Sequence, residues 1–153
     1  MNVVPFAHHY LDAVYDIQQK AYFPLFQKYH DTETNPYLES KAVVWRKYSR
    51  PGTFGYVFLE QGIPVGAVRV VSKEDTAKIS ALAVLPEYQN RGIAQTALRE
   101  IEEIHNNIRL WILDTLMQEK GNCHLYEKLG YVRVGVPRAI NDRLTLVDYE
   151  KQR

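Results

Sequence analysis

The spacing of apolar positions changes several times along the chain, between a helical period of about 3.6 residues and a strand period of 2. Helical spacing predicts helices at His8–Tyr29, Tyr37–Tyr48, Ile93–Asn106 and Asn122–Leu129. β-rich runs predict strands at Val3–Phe6, Phe54–Leu59, Pro64–Val71, Lys78–Leu85, Arg109–Leu113, Tyr131–Val136 and Leu144–Tyr149. Pro24, inside the first helical run, should kink or end that helix. This order of elements predicts one α/β domain over residues 1–153, with a mixed sheet.

Composition and charge narrow the class of protein. The formal charge of +1 gives no basic field for binding nucleic acid or an anionic membrane surface. No apolar run approaches the ~20 residues of a membrane helix, and Met1–Pro5 does not resemble the start of a signal peptide. The single cysteine, Cys123, excludes an intrachain disulfide, and no His, Cys, Asp or Glu residues have metal-ligand spacing. We therefore expect a cytoplasmic protein, monomeric or homodimeric, with no metal, nucleic-acid or membrane partner.

A short segment between an apolar strand and a helix has the features of a phosphate-binding turn. It reads Gln89-Asn90-Arg91-Gly92-Ile93-Ala94. The first N–H groups of a helix have no internal partner and lie at the positive end of the helix dipole. Gly92 removes a side chain that would keep a phosphate away from the backbone, and Arg91 adds a cation. In isolation, an ordinary strand–helix turn would be the simpler interpretation.

A second segment combines an amide and a phenol on one helical face. Asn122 and Tyr126 lie one turn apart in the last predicted helix, which Gly130 should terminate. Together they can bind a polar chain and donate a proton. In isolation, a packing tyrosine and a helix-capping asparagine explain the same pattern.

The two segments together resemble the GCN5-related N-acetyltransferase (GNAT) superfamily, whose members transfer an acetyl group from acetyl-CoA to an amine. The acetyl-CoA motif of that family matches Gln89-x-x-Gly92-x-Ala94, and the preceding Leu82–Tyr88 is also similar. Its later motif matches Tyr126–Tyr131 closely, although Asn122 is only four residues before Tyr126. The resemblance implies a GNAT-like α/β fold with a twisted, mostly antiparallel sheet, splayed between its central strands and flanked by helices.

The same resemblance implies roles for individual residues. Tyr126 would be the general acid that protonates the departing thiolate, and Asn122 would bind the pantetheine arm. The backbone of the strand would pair with that arm, and the turn would hold the diphosphate of acetyl-CoA. The cofactor-binding residues are therefore expected to be Leu82, Ala83, Val84, Gln89, Asn90, Arg91, Gly92, Ile93, Ala94, Asn122 and Tyr126.

One departure from the family concerns the general base. Histone-acetylating members have a glutamate at the position of Lys78, and a charged lysine cannot accept a proton. The base is therefore unassigned, with Asp31, Glu33 and Asp114 as candidates. The lysine also argues against histone tails as the acceptor.

The resemblance implies that the acceptor meets the variable segment Tyr22–Tyr37, between the first two helices. Tyr29, Asp31 and Glu33 combine aromatic and anionic side chains, which attract a cationic amine. Solvated loop charges explain the two carboxylates equally well. Arg69, on a strand beside the cleft, can pair with an acceptor carboxylate, although a solvated surface arginine is the simpler account.

The sequence thus predicts an acetyl-CoA-dependent N-acetyltransferase in which a primary amine, of a small molecule or peptide, attacks the thioester directly in a ternary complex. A catalytically inactive acyl-CoA sensor of the same fold is the main alternative. An enzyme that acetylates a ribosomal or other protein N-terminus is a third. A narrow, carboxylate-lined cleft would favour small amines, and an open groove would favour peptides. The sequence does not show the width of the cleft.

Overall fold

A seven-stranded sheet runs through the centre of the molecule, in a computed structural model that describes residues 1–153. The strand order is β1-β2-β3-β4-β5-β7-β6. The strands are β1 Asn2–Pro5, β2 Thr53–Glu60, β3 Ile63–Lys73, β4 Thr76–Val84, β5 Leu110–Leu116, β6 Val132–Asn141 and β7 Leu144–Gln152. Neighbours are antiparallel except β4 and β5, which are parallel.

The parallel pair in the middle of the sheet is short. β4 pairs with β5 only from Thr76↔Leu110 to Lys78↔Ile112. Beyond that point the two strands separate, so the rest of β4 has a partner on its β3 side alone. This confirms the predicted α/β fold with a mixed, mostly antiparallel sheet and splayed central strands.

Four helices cover the two faces of the sheet. They are α1 Leu11–Tyr29, α2 Lys41–Tyr48, α3 Ile93–Ile104 and α4 Lys120–Lys128. α1 and α2 bury Val14, Val44 and Tyr48 against Val57 and Ala67 of the sheet. On the opposite face, residues of α3 and α4 belong to the larger core around the fully buried Trp111. No helix combines the length and apolarity that crossing a bilayer requires.

The first predicted helix has different limits from those expected. His8–Tyr10 is a separate 3-10 turn, and α1 continues through Pro24 to Tyr29. Proline inside a helix costs about 3 kcal/mol. Hydrogen bonds on both sides of Pro24 help to offset that cost: the Tyr22 hydroxyl donates to the Leu82 carbonyl at 2.6 Å, and Tyr29 donates to Glu119 at 2.5 Å.

Two further predicted boundaries were wrong. The helix expected at Tyr37–Tyr48 is interrupted, because the Ser40 hydroxyl accepts from the Val43 N–H at 3.2 Å and so starts α2 at Lys41. The strand expected to end at Val136 continues to Asn141, across Pro137 and a register shift. β6 forms an edge of the sheet, where a missing N–H and a bulge are tolerated.

Gly66 of β3 occupies a position with no room for a side chain. A Cβ there would lie 2.5 Å from Cδ2 of Phe58 and 2.9 Å from the carbonyl oxygen of Ala83. Gly66→Ala should therefore lower the free energy of unfolding by about 1–3 kcal/mol in denaturant titrations. Gly121→Ala in α4 is the control, since its Cβ meets no atom within 4 Å and alanine favours a helix by ~1 kcal/mol. Equal stability of the two variants would contradict this packing.

Candidate active site

The separation of β4 from β5 opens a cleft of about 1320 Å³. Its walls come mainly from the open part of β4, the N-terminus of α3, the end of β5, α4 and the C-terminal half of α1, with further residues from α2, β3, β6 and β7. The sheet topology therefore places side chains from distant parts of the sequence around one cavity, large enough for an extended ligand and a second small molecule.

One wall of the cleft is an unpaired strand edge. Leu82, Ala83 and Val84 line the cleft where β4 has no β5 partner. Ala81, just before them, has a φ of 52°, at a register shift opposite Ala67–Arg69 of β3. A bulge of this kind bends the strand and exposes backbone groups along the open edge. An extended polar chain can pair with such an edge as an added strand.

The strand leads into a turn whose backbone donors are all free. None of the N–H groups from Asn90 to Gln95 donates a hydrogen bond within the protein, and no side chain caps α3. Asn90 and Gly92 have φ angles of 62° and 79°, so successive N–H groups line a concave surface. Gln89 secures the turn by donating from Nε2 to the Val84 carbonyl at 2.9 Å. This arrangement is typical of an anion site for phosphate.

Tyr126 faces the cleft from α4 with a free hydroxyl. The side chain is only 7% exposed, and its ring packs against Tyr131 and Tyr149 at centroid distances of 6.0 and 6.3 Å. Its hydroxyl makes no hydrogen bond within the protein, yet the residue lines the cleft. Burial, and then the neighbouring Tyr22 and Asp114, raise the pKa of Tyr126 well above its usual range. The phenol therefore keeps its proton at any physiological pH.

The cleft also contains a hydrogen-bonded carboxylate. Glu119 accepts from the hydroxyl of Tyr29 at 2.5 Å and from Lys28 Nζ at 2.9 Å. Burial acts to raise the pKa of Glu119, but these hydrogen bonds outweigh it and leave the pKa below its ordinary value. The contacts join the end of α1 to the start of α4 beside the cleft.

The three candidate bases lie in different surroundings. Asp31 is 4% exposed, and its carboxylate accepts from the N–H groups of Glu33 and Thr34 and from the Thr34 hydroxyl. Glu33 is exposed and does not line the cleft. Asp114 lines the cleft and contacts Lys78 at 3.4 Å. The buried carboxylate of Asp31 thus organises its own loop, and Asp114 faces the cavity.

No group of three or more His, Cys, Asp and Glu side chains is arranged to hold a metal ion. The cleft is lined by backbone donors, hydroxyls, carboxylates and cations. A strand edge, a phosphate-type turn and a protonated phenol on one cavity are also the features that the two sequence motifs predict.

A comparison with protein families decides the relationship. The sequence model of the Acetyltransferase (GNAT) family matches residues 11–131. The chain belongs to this family. The match confirms the resemblance drawn from the motifs, and it spans all of the elements that form the cleft except β6 and β7.

Two proteins share sequence with this GNAT family member. It is 29% identical to the uncharacterised protein YrkN of Bacillus subtilis (strain 168) over 118 residues, which cover 75% of the chain and 63% of YrkN. It is 33% identical to N-acetylaspartate synthetase of Danio rerio over 93 residues, covering 58% of the chain and 33% of the synthetase. The chain thus matches less than two thirds of the length of either relative.

Solved structures share the fold at low sequence identity. The ribosomal-protein-S18-alanine N-acetyltransferase of Escherichia coli has a TM-score of 0.81 at 16% identity, over 99% of this chain and 92% of its own. Spermidine N-acetyltransferase of Vibrio cholerae, solved with CoA and spermine, has a TM-score of 0.78 at 17% identity. This match covers 99% of the present chain and 94% of the spermidine enzyme. These similarities confirm the fold.

The structure brings most of the predicted site residues to the cleft. Residues that line it are Tyr29, Asp31, Leu82, Ala83, Val84, Gln89, Asn90, Gly92, Ile93, Ala94, Asn122 and Tyr126. Arg91 and Glu33 do not line it, and Arg91 lies over the Tyr88 ring, 5.1 Å from its centroid. Asn122 is exposed in the first turn of α4, which begins at Lys120.

Two polar residues of the cleft were not predicted as individual site residues. The hydroxyl of Tyr22 contacts the carbonyl of Leu82, 60 positions away, and Glu119 contacts Tyr29, 90 positions away. Tyr22 belongs to the segment expected to meet the acceptor, where a core role was an equal alternative, and Glu119 follows β5 without any motif. Only the sheet order brings these residues beside the predicted site.

Proposed function

We propose that this protein is an acetyl-CoA-dependent N-acetyltransferase. The observation that supports it best is the row of free N–H groups from Asn90 to Gln95, placed at the end of an unpaired strand edge. CoA has a diphosphate that the free N–H groups can bind, and a pantetheine arm that can pair with the strand edge. Membership of the GNAT family, in which a solved relative is bound to CoA, agrees with this assignment.

Acetyl-CoA would lie along the cleft with its pantetheine arm on Leu82–Val84 and its diphosphate on Gln89–Ala94. Asn122, exposed on the facing helix, would hydrogen-bond the arm. Arg91 does not line the cleft, so in this proposal it contributes charge at the rim. The reactive thioester would then lie between the bulge of β4 and Tyr126.

The proposed reaction requires no enzyme nucleophile. The neutral amine attacks the thioester carbonyl, a C–N bond forms, and the C–S bond breaks. Tyr126 gives its proton to the departing thiolate and is reprotonated from water, while the excess proton of the amine goes to a base or solvent. Asp114 is the best placed of the three candidate bases, because it faces the cleft and is not held by its own loop.

In this proposal the acceptor is a primary amine of a small molecule or peptide. Relatives of this fold are named for acceptors as different as spermidine and a ribosomal protein alanine, and one sequence relative is named for N-acetylaspartate. Contact of the acceptor with Tyr29, Asp31 and Glu33 stays a prediction. A cytoplasmic location, a monomeric or homodimeric state and the lack of nucleic-acid or membrane partners also stay predictions.

Acetyl-CoA should raise the thermal stability of the protein. A ligand that binds only the folded state stabilises it by about 2.7 kcal/mol at 100 times its dissociation constant. NADH and ATP at the same concentration should shift the melting temperature clearly less, because neither has a pantetheine arm to pair with β4. Equal shifts with all three compounds would indicate a generic phosphate site and argue against this function.

Turnover separates the enzyme from the sensor alternative. Release of free CoA in the presence of a panel of amines is expected for the acetyltransferase. A protein that binds acetyl-CoA tightly and releases no CoA with any amine of the panel would be the sensor.

A further inference from the structure

Arg69 of β3 is a cleft residue whose charge has no partner. It is half-buried and lines the cavity, but no carboxylate lies within 4.0 Å of it and it donates no hydrogen bond within the protein. Its only close partner is the ring of Tyr48, 6.0 Å from the guanidinium carbon. By contrast, Lys47, Lys78 and Arg138 at the same end of the cleft all contact carboxylates.

Arg69 is also close to the position proposed for the thioester. It pairs across the sheet with Ser80, next to the register shift that bulges β4 before Leu82. Its side chain is on the same face of the sheet as α2, since it contacts Tyr48. Burial raises the pKa of Tyr22, the charge of Arg69 partly counteracts this, and the charges of Glu39 and Asp114 add to the increase. Tyr22 itself donates to Leu82.

A half-buried guanidinium with free donors is matched best by a carboxylate. Arginine has five N–H donors in a planar fork, which binds both oxygens of a carboxylate at once. Removing such a charge from water is costly when nothing replaces the lost hydration. The nearby carboxylates Glu39 and Asp114 are bound by Lys47 and Lys78, and neither forms an ion pair with Arg69. The proposed position of acetyl-CoA supplies no anion here, so the remaining candidate is the acceptor.

We propose that the acceptor is an amine that also has a free carboxylate, in the simplest case an α-amino acid, and that Arg69 binds that carboxylate. This inference rests on the proposed acetyl transfer and specifies its substrate. The unpaired charge of Arg69 disfavours a polyamine, since like charges repel in a partly buried site. A peptide N-terminus fits less well, because its α-carboxylate is consumed in the peptide bond. Nearby cations also lower the pKa of the amine, which favours its reactive neutral form.

Kinetics with matched acceptors test the proposal. The panel contains glycine, L-aspartate and L-glutamate, the α-carboxamide of each, a dipeptide and spermidine. We expect the wild-type protein to favour the acids over the matched amides by roughly 10- to 100-fold in kcat/KM, the range for a charged hydrogen-bonded pair. Arg69→Gln should remove this preference by raising the KM of the acids alone. Arg69→Lys should keep part of it, because it retains charge without the fork.

Controls separate carboxylate binding from a structural role of Arg69. Arg46→Gln removes an exposed arginine of α2 that does not line the cleft. It should change neither the KM of the acids nor the KM of the amides. The KM of acetyl-CoA and the melting temperature should stay close to wild type in Arg69→Lys. If Arg69→Gln weakened acids and amides equally, or if wild type used both equally well, the inference would be overturned while acetyl transfer stood.

A binding measurement gives a result that does not depend on turnover. Calorimetry with CoA present should detect binding of N-acetyl-amino acids but not of their amides. In Arg69→Gln the acids and the amides should bind equally weakly. Carboxylate-selective binding without acetylation of any amine would support the Arg69 site and overturn the proposed reaction. Absence of both selective binding and turnover would overturn the inference together with the function on which it rests.

Discussion

Replacing Gly92 by glutamate should nearly abolish binding of acetyl-CoA while leaving the domain folded. Gly92 is the residue before α3, with a φ of 79°, and a Cβ there would meet no protein atom within 4 Å. A longer side chain therefore extends into the space that the free N–H groups face. Its negative charge repels the diphosphate and itself competes for the donors of the turn. A loss of about 3 kcal/mol corresponds to a roughly 100-fold weaker affinity.

Two companion variants separate the causes of this effect. Gly92→Ala has the same unfavourable positive φ, which costs about 1–2 kcal/mol for a residue with a Cβ, but has no charge. Gly92→Gln has the size of glutamate without its charge. Calorimetry should rank the affinity for acetyl-CoA as wild type, alanine, glutamine and then glutamate. Unchanged affinity in a folded Gly92→Glu protein would move the diphosphate away from this turn.

Replacing Tyr126 by phenylalanine should lower kcat by about 10²–10⁴, the usual contribution of a positioned general acid. The ring and its packing against Tyr131 and Tyr149 are retained, and the only group lost is a hydroxyl that has no partner in the protein. Stability should therefore stay close to wild type, and affinity for acetyl-CoA should change little. The raised pKa of Tyr126 also means that its deprotonation should not limit the rate at alkaline pH.

The measurement must isolate the chemical step. Single-turnover kinetics at saturating acetyl-CoA and acceptor report that step directly, without product release. Tyr15→Phe is the control, because Tyr15 is half-buried and, like Tyr126, unbonded at its hydroxyl, but it does not line the cleft. A near-normal single-turnover rate in Tyr126→Phe would remove Tyr126 from the mechanism and leave solvent as the proton source.

Much of the predicted site lies in one continuous stretch because backbone chemistry defines it. A strand, a turn with Gly92 and a helix start are enough to gather free N–H groups, so Gln89–Ala94 could be read without knowing the fold. The motif around Tyr126 is similarly local, since one helical turn and the terminating Gly130 fix its orientation. The family followed from these two segments, and the order of strands and helices followed from periodicity.

The errors of the sequence analysis have equally local causes. Periodicity alone joined Tyr37 to Tyr48 in one helix, whereas the hydroxyl of Ser40 caps a new helix at Lys41. Pro24 was expected to kink or end α1, and the helix does not end there but continues to Tyr29, with the hydroxyls of Tyr22 and Tyr29 bound to distant partners. At Ser40 a side-chain hydrogen bond outweighed the average tendency of the segment.

The sequence by itself determined the class of fold, the family, the phosphate-type turn and the candidate acid. Only the tertiary structure decided how the cleft is formed and which charges remain free within it. β4 and β5 separate after Lys78, Tyr22 reaches Leu82, and Arg69 faces the cavity without a carboxylate. These features depend on which strands are neighbours and where they part. The spacing of apolar residues shows which face of each helix or strand is buried, but it does not show which other element packs against that face.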